Sequence, residues 1–249
     1  MQYGICHLSI APVRFAASHQ SEMVSQILYG EHFKVLEERG KWSRIRLAFD
    51  GYEAWISNNQ YLKIREEDYN YLLNDNLKLS ADLFNYVVNE QGHLMSVPLG
   101  SSLNFIQKFN HSFEGEISTG TNNKENLIHS ALLYLNSPYC WGGKSPLGID
   151  ASGLSQMVYR LNGHRIKRTS AEQATQGIAL SFIEESEPGD LAFFDNNEGI
   201  IDHVGIMMQD NYIIHVDGMV RIDRIDHSGI FNVDLKRHTH QLRVIKKII

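Results

Sequence analysis

Residues 148–154 read Gly-Ile-Asp-Ala-Ser-Gly-Leu, a pattern typical of a loop that runs into a helix. Asp150 is a favoured N-cap residue, because its carboxylate can accept hydrogen bonds from the free backbone N–H groups of a first helical turn. The apolar residues that follow are spaced i, i+3, i+4 and i+7, as on one face of a helix: Leu154, Met157, Val158 and Leu161. Gly163 can end this helix. Position 151 therefore lies in the first turn, where unpaired N–H groups and the helix dipole stabilise an anion.

The flanking sequence predicts an α+β domain over residues 119–249. Near residues 120–123 the apolar spacing changes from period two to helical period, so we expect a helix capped by Asn123 or a neighbour and ended by Pro138. Its apolar stripe consists of Leu127, Ala131, Leu132 and Leu135. Three later apolar runs predict antiparallel strands: Leu191 to Phe194, Val204 to Met208 and Tyr212 to Val216. Helices followed by strands, without βαβ alternation, are typical of an α+β domain.

Residues 1–64 contain short alternating strands separated by turn residues. The predicted strands are His32 to Glu38, Trp42 to Leu47 and Tyr52 to Ile56. Arg39-Gly40 and the Asp50-Gly51 turn lie between them, which is the pattern of β-hairpins. We therefore expect a small β-barrel. Residues 65–68 are charged and predict the start of a linker, and residues 76–118 predict a second module of short strands. The alternative for 76–118 is an irregular extension wrapped on the first barrel.

Composition narrows the function classes. A chain of 249 residues is long for one domain and suits two or three. The net charge of −6 and the absence of a basic cluster argue against nucleic-acid binding and favour a peptide or small polar substrate. Two cysteines, Cys6 and Cys140, are too few for a disulfide framework. The N-terminal residues lack the features of a signal peptide or membrane anchor, so we expect a cytoplasmic protein with no membrane partner. We also expect a monomer.

Four motifs in the second half of the chain resemble those of the NlpC-type papain-like cysteine peptidases. They are residues 138–143 (PYCWGG), 148–154 (GIDASGL), 203–205 (HVG) and His215. Residues 41–46 and 51–56 resemble the bacterial SH3-like modules that accompany such enzymes. The resemblance implies an α+β fold in which a papain-like catalytic domain (119–249) follows one or two small SH3-like β-barrels (1–64 and, second, 76–118). Metal binding is a weak interpretation of the histidines, because no His-x-x-x-His pair lies on a predicted helix with a third ligand, and we expect no cofactor.

The resemblance also assigns the catalytic positions. Family members carry the nucleophilic cysteine where this chain has Ala151. His203 corresponds to the general base, His215 to the third polar residue that orients it, and Tyr139 to a second oxyanion donor. Strand parity independently places the two histidines on one face: if the hairpin between them has an odd loop centred on Gln209, His203 and His215 lie opposite each other. Cys140 stands where the family has an apolar residue, so we expect a buried small side chain there.

Ala151 cannot ionise or form a thioester, so the chain as written should be inactive. Two explanations are open: a naturally inactive relative that binds wall peptides, or deliberate removal of the sulfur. We favour removal, because a long-inactive relative has no use for Tyr139, His203 and His215. An acyltransferase or amidase with the same arrangement is a third, weaker alternative.

The family resemblance implies cleavage of the γ-D-glutamyl–diamino acid bond of murein stem peptides, with a free N-terminal L-alanine. The candidate substrate-binding residues are Ser152, Ser170, Thr169, Glu22, Tyr52 and Trp55. Thr169 stands where the family often has an aspartate, which weakens the case for recognition of a free amine. Glu22 is equally well explained as a solvated charge, and Tyr52 and Trp55 as barrel residues. Arg168 is expected to be structural. His164, His227, His238 and His240 are expected to be surface residues.

Overall fold

The computed structural model of the protein describes residues 1–120, 123–196 and 198–249. The chain forms two compact units. The first holds the described residues up to 120 together with 141–146, and the second holds residues 123–140 and 147–249 except for the position not described. The predicted change of pattern at residues 120–123 includes Thr121 and Asn122, which lie outside the described residues.

The first unit is built mainly from short strands. They are β1 (Gln2–Ile5), β2 (Ile10–Arg14), β3 (Met23–Leu28), β4 (His32–Arg39), β5 (Trp42–Leu47), β6 (Glu53–Ser57), β7 (Leu62–Ile64), β8 (Leu79–Ser80), β9 (Phe84–Val88), β10 (Leu94–Pro98), β11 (Ser112–Phe113), β12 (Ile117–Ser118) and β13 (Lys144–Ser145). The first seven strands form one antiparallel sheet in the order β3-β2-β6-β5-β4-β1-β7. The structure also contains a six-stranded barrel. The predicted small barrel is confirmed.

The hairpins of the barrel follow from the turn residues and the alternation. Arg39 pairs with Trp42 at the end of the β4–β5 hairpin, and Gly40 adopts a left-handed φ of 59°. Asp50 accepts a hydrogen bond from the backbone N–H of Tyr52 (2.8 Å), which fixes the next turn. Along each strand the side chains alternate between the inside and the outside of the barrel. The inward side chains, such as Ile45 on β5, form its apolar core. The three strands expected in this region are present within one residue of their predicted ends.

The prediction of a linker after residue 64 was wrong. Residues Glu66–Asn74 form helix α1, which buries Tyr69 and Leu72. Three acidic residues, Glu66, Glu67 and Asp68, occupy its first turn, where the helix dipole favours negative charge. The charged run that indicated a solvated linker is therefore the start of a helix.

Residues 76–118 form two small ladders, β10-β9-β11 and β12-β8. Val87, Val97 and Leu103 pack in a cluster with Tyr29, which comes from the end of β3. Residues 76–118 therefore form a small β-structure, which belongs to the same compact unit as the first barrel. That they make a second SH3-like module stays a prediction.

The second unit combines a few helices with one large antiparallel sheet. Its elements are α2 (Asn126–Leu132), β14 (Gly148–Ile149), α3 (Ala151–Leu161), α4 (Ser170–Gln173), β15 (Ile178–Leu180), β16 (Leu191–Asp195), β17 (Ile201–Met207), β18 (Tyr212–Asp217), β19 (Met219–Asp226), β20 (Gly229–Asn232) and β21 (Arg237–Lys247). The sheet order is β15-β21-β16-β17-β18-β19-β20, and β21 also pairs with β20. Helix α3 packs against β17 and β18. The α+β fold class is confirmed.

Helix α3 matches its prediction closely. Asp150 is its N-cap, the predicted apolar residues are all buried, and Gly163 follows it with a left-handed φ of 83°. Helix α2 is shorter than expected, because it ends at Leu132 and not near Pro138. Leu132 and Leu135 are about two-fifths exposed, so the predicted stripe is wrong at its C-terminal end.

No helix within the described ranges has both the length and the apolar character needed to cross a bilayer.

Candidate active site

The start of helix α3 is fixed by buried polar contacts. Asp150 Oδ1 accepts a hydrogen bond from the backbone N–H of Gly153 (2.6 Å), which satisfies one free donor of the first turn. Arg168 donates to both oxygens of the same carboxylate, and both side chains are buried. The expectation that Arg168 is structural agrees with these contacts. Together they hold position 151 at the beginning of the helix.

Ala151 is the first residue of α3 and is 8% exposed. Its methyl group carries no proton to lose and no electron pair to attack a carbonyl. The surroundings nevertheless suit an anion, because the N-terminal end of an α-helix carries partial positive charge. A thiol placed at this position would ionise more readily than a free cysteine.

His203 and His215 lie on the neighbouring strands β17 and β18, and both are buried. His203 Nε2 is 3.1 Å from His215 Nδ1, and the two rings are nearly perpendicular at 85°. This contact uses Nε2 of His203, so Nδ1 is the ring nitrogen that would accept a proton from a thiol at position 151. The pair can act as a base and its orienting partner.

The strand register differs from the one predicted. Ile206 pairs with Ile214 and Met207 with Ile213, which centres the turn on Asp210 and not on Gln209. His215 therefore lies opposite Gly205, and a Cβ added to that glycine would be 3.1 Å from the Cβ of His215. The two histidines meet diagonally. The parity argument still put them on one face, because a shift of two residues leaves the side-chain face unchanged.

Asp223 on β19 extends this pair, and the sequence analysis did not identify it. Its Oδ2 is 3.1 Å from His215 Nε2 and 2.6 Å from the Nε of Arg221. Burial alone raises the pKa of Asp223, but hydrogen bonds from His215 and Arg221 outweigh it and lower the pKa to about 2. The carboxylate is therefore ionised at neutral pH. The alternation of Arg221 and Asp223 was the available signal, but it indicates only a strand face.

His240 on β21 was expected at the surface and is instead partly buried beside the pair. Its ring stacks on that of His203, with centroids 4.1 Å apart and planes at 25°. Burial, followed by the neighbouring His240 and His215, holds the pKa of His203 well below its usual value. A neutral imidazole at neutral pH is what a general base requires. His240 was wrongly expected at the surface because β21 pairs with strands that are distant in sequence, such as β16, so its burial has no local signal.

Among the described residues, donor nitrogens of His203, His215 and His240 lie within 4.8 Å of one another. Imidazoles bind metals through lone pairs in the ring plane, so convergent rings are needed. The rings of His203 and His240 are stacked with planes at 25°, so their lone pairs lie in nearly parallel planes. The arrangement fits hydrogen bonding and stacking better than metal ligation.

Tyr139 is 46% exposed, and its backbone is anchored by a hydrogen bond from its N–H to the carbonyl of Gly218 (2.9 Å). Burial, with Asp150 and Cys140 nearby, raises the pKa of its hydroxyl. The hydroxyl therefore stays protonated at neutral pH and can donate. Cys140 is half-buried, not fully buried as predicted, and its Cβ would be 2.7 Å from a Cβ added to Gly148.

Three candidate substrate-binding residues lie in the second unit. Ser152 donates to Asp150 Oδ1 (3.2 Å) and accepts from Arg168 (2.9 Å), so it belongs to the buried network at the start of α3. Ser170 donates to the carbonyl of Asp202 (3.1 Å), next to His203 in the chain. Thr169 caps α4 and donates to Glu172 Oε2 (2.8 Å). A substrate role for these residues stays a prediction.

The other three candidates lie in the first unit. Glu22 is exposed just before β3. Tyr52 is partly buried and packs against the barrel core. Trp55 is buried on β6, and the guanidinium of Arg39 lies 5.0 Å from its ring centroid. Trp55 thus has a role in the barrel whether or not it also contacts substrate.

Comparison with known proteins gives two family matches. The NlpC/P60 family model matches residues 136–241, and the model of the bacterial dipeptidyl-peptidase SH3 domain matches residues 13–60. The first match contains position 151 and both buried histidines.

Two curated relatives are similar along most of the chain. The γ-D-glutamyl-L-lysine dipeptidyl-peptidase of Bacillus subtilis (strain 168) is 27% identical over 215 residues, 77% of this chain and 71% of that protein. Dipeptidyl-peptidase 6 of Lysinibacillus sphaericus is 28% identical over 233 residues, 78% of this chain and 80% of that protein.

Solved structures show the same fold. The crystal structure of an NlpC/P60 family protein from Bacillus cereus ATCC 10987 covers 99% of both chains with a TM-score of 0.80 at 18% identity. An NlpC/P60 endopeptidase from Photobacterium damselae subsp. piscicida covers 97% of this chain and 70% of that one, with a TM-score of 0.71 at 15% identity. The family-model matches place residues 136–241 in the NlpC/P60 family, whose members are hydrolases of the cysteine-peptidase type, and assign residues 13–60, earlier in the chain, to a bacterial SH3 domain.

Proposed function

We propose that this chain is an inactivated form of a cysteine endopeptidase that hydrolyses the γ-D-glutamyl–diamino acid bond of murein stem peptides. The observation that carries the proposal is the intact pair His203–His215 in the domain whose helix α3 begins at Ala151. The names of the relatives support the bond: two proteins similar over about three-quarters of the chain are a γ-D-glutamyl-L-lysine dipeptidyl-peptidase and a dipeptidyl-peptidase.

The residues present would complete the reaction once a thiol stood at position 151. His203 Nδ1 takes the proton of the thiol, and the thiolate attacks the γ-carbonyl carbon of D-glutamate. Backbone N–H groups at the start of α3 and the Tyr139 hydroxyl hold the oxyanion. The imidazolium of His203 then gives its proton to the leaving amine of the diamino acid. His203 then takes a proton from water as the water oxygen attacks the thioester carbon. The C–S bond breaks, the glutamyl carboxylate leaves, and His203 returns its proton to the thiolate.

The substrate we propose has a free N-terminal L-alanine, as in a released tripeptide. Recognition of an ammonium group is strongest with a carboxylate. Thr169 supplies no carboxylate, and its hydroxyl donates to Glu172. The preference for a free amine therefore needs a direct comparison with a blocked peptide.

The test restores the thiol with Ala151→Cys. Both proteins are incubated with L-Ala-γ-D-Glu-L-Lys, L-Ala-γ-D-Glu-diaminopimelate and their N-acetylated forms, and release of L-Ala-γ-D-Glu is followed by mass spectrometry. Ala151→Ser is the matched control, because it adds a side chain of similar size with a far weaker nucleophile. We expect cleavage by the cysteine variant alone, and faster cleavage of the free-amine peptides.

Ala151 itself favours a second candidate function, a naturally inactive protein that binds wall peptides. Calorimetric titration of the unaltered chain with the same peptides tests it. Binding, with no cleavage by Ala151→Cys, would support this second function and contradict the first. Cleavage by Ala151→Cys would support the first.

A further inference from the structure

We propose that Asp223, held in place by Arg221, is a positioning residue that sets the tautomers of both His215 and His203. The structural part of the proposal concerns which ring nitrogens carry protons. Its catalytic consequence rests on the proposed function.

The three side chains form a continuous line across three neighbouring strands. His203 lies on β17, His215 on β18 and Asp223 on β19, and these strands are adjacent in the sheet. The two contacts along the line are both 3.1 Å, from His203 Nε2 to His215 Nδ1 and from His215 Nε2 to Asp223 Oδ2. All three side chains are at least nine-tenths buried, so water does not compete for these contacts.

The ionised carboxylate of Asp223, at the end of the line, determines which nitrogens of His215 and His203 carry protons. An ionised carboxylate only accepts hydrogen bonds, so His215 Nε2 must carry a proton. When His215 is neutral, its Nδ1 is bare and can only accept. His203 Nε2 must therefore be the donor to it, and neutral His203 is left with a bare Nδ1. That nitrogen is the one required to take a proton from a nucleophile at position 151.

Asp223 is itself fixed in one orientation. Arg221 donates to Oδ2 through Nε (2.6 Å) and to Oδ1 through Nη2 (3.0 Å), which is a two-point contact. The backbone N–H of Val233 lies 3.4 Å from Oδ1. Arg221 also donates to Asp234 (2.8 Å), so the guanidinium is held from a second side. Further titratable groups near the line are His240, stacked on His203, and Asp202 and Asp217, whose charges act on His240.

Asp226 on the same strand provides a matched comparison. It also faces a histidine, with His238 Nε2 2.9 Å from its Oδ2. Both members of that pair are close to half exposed, so water can replace the contact. Asp226→Asn therefore removes a carboxylate–histidine contact on β19 without touching the buried line.

The first experiment uses the chain as it stands and needs neither substrate nor substitution. Long-range ¹⁵N–¹H NMR correlations of the imidazole rings at pH 7.5 report which nitrogen of each histidine is protonated. We expect both His203 and His215 to carry the proton on Nε2. A proton on Nδ1 of either ring would overturn the proposal, whether or not the protein proves to be a peptidase.

The second experiment compares Asp223→Asn with Asp226→Asn. An amide can donate as well as accept, so Asp223→Asn should produce mixed tautomers of His215 and His203, whereas Asp226→Asn should leave both unchanged. In the Ala151→Cys background, we expect Asp223→Asn to lower kcat by about 10- to 100-fold with little change in KM, because Asp223 acts on His203 only through His215. Loss of an outer group that orients a metal-bound histidine has an effect of this size. Asp223→Asn should also make kcat less dependent on pH in the range where His203 gains or loses its proton.

A purely structural role would instead lower the thermal midpoint and leave tautomers and kcat of the remaining folded protein unchanged, which would refute the proposal. Should Asp223→Asn not fold, Arg221→Lys keeps the charge but not the two-point geometry, and the same NMR comparison applies. Failure of Ala151→Cys to cleave any peptide would refute the proposed function while the tautomer measurement still decides this inference.

Discussion

Arg168 and Asp150 form a buried two-point ion pair, with Nη1 3.0 Å from Oδ1 and Nη2 2.7 Å from Oδ2. The same carboxylate caps helix α3 through the backbone N–H of Gly153. One side chain thus determines both where the helix begins and how its first residue is held. The pair links the stability of the second unit to the geometry of position 151.

Replacing Arg168 by methionine should destabilise the second unit strongly. The substitution leaves the carboxylate of Asp150 buried without its cation, a situation that costs about 3–5 kcal/mol. The measurement is the free energy of unfolding from urea titration. Arg243→Met is the control, because Arg243 is mostly exposed and lies 3.7 Å from Asp195, so its loss should cost less than about 1 kcal/mol. Equal effects of the two substitutions would show that the buried pair has no special role.

The elements predicted correctly are those whose signals are local. Helix α3 has an N-cap, a regular apolar stripe and a terminal glycine within fifteen residues, and the barrel hairpins have turn residues between short alternating strands. The run Arg65 to Asp68 was misinterpreted because a charged segment suits both a solvated linker and the first turn of a helix. Burial of Tyr69 and Leu72, which decides between them, depends on the rest of the fold.

Strands β19 to β21 could not be placed from the sequence for a similar reason. Their position comes from pairing between distant residues, such as Ala192 with Ile245, and not from a local pattern. Asp223 and His240 were missed with them, because polar residues at alternate positions usually indicate a solvated strand face. The motifs that contain Tyr139, Ala151 and His203 were recognised by resemblance, whereas the side chains in contact with His203 and His215 became visible only in three dimensions.

Removing the hydroxyl of Tyr139 should slow the restored enzyme without weakening substrate binding. In the Ala151→Cys background, Tyr139→Phe deletes the hydroxyl that we propose as an oxyanion donor, and loss of such a donor usually costs about 10²- to 10³-fold in kcat. Steady-state kinetics with L-Ala-γ-D-Glu-L-Lys gives kcat and KM separately. Tyr212→Phe is the control, because that hydroxyl accepts a hydrogen bond from Arg224 (3.0 Å) at the start of β18. A raised KM with unchanged kcat would assign Tyr139 to ground-state binding.

Acid should destabilise the protein through His203. Burial lowers the pKa of His203 in the folded state, while the unfolded chain binds a proton near pH 6.5. The contribution of neutral His203 to the free energy of unfolding is therefore fully present above pH 6.5, and it is lost as the pH falls below 6.5 toward the lower pKa of the folded state. The slope for one such group is up to about 1.4 kcal/mol per pH unit. Urea unfolding at pH 7.5 and 5.5 measures it. His203→Gln should reduce the difference between the two pH values, whereas substitution of exposed His227 should not.

The environments of the cysteines predict a clear order of thiol reactivity. Burial raises the pKa of Cys6 to about 12, so its thiolate is scarce at pH 7.5 and iodoacetamide should not modify it in the folded protein. The thiol introduced by Ala151→Cys begins a helix and should be modified faster than half-buried Cys140. Mass spectrometry of proteolytic peptides over a time course gives the three rates, and a sample unfolded in urea should show them converging. If the introduced thiol reacts no faster than Cys140, the start of α3 does not stabilise a thiolate, and the nucleophile role proposed for position 151 loses its physical basis.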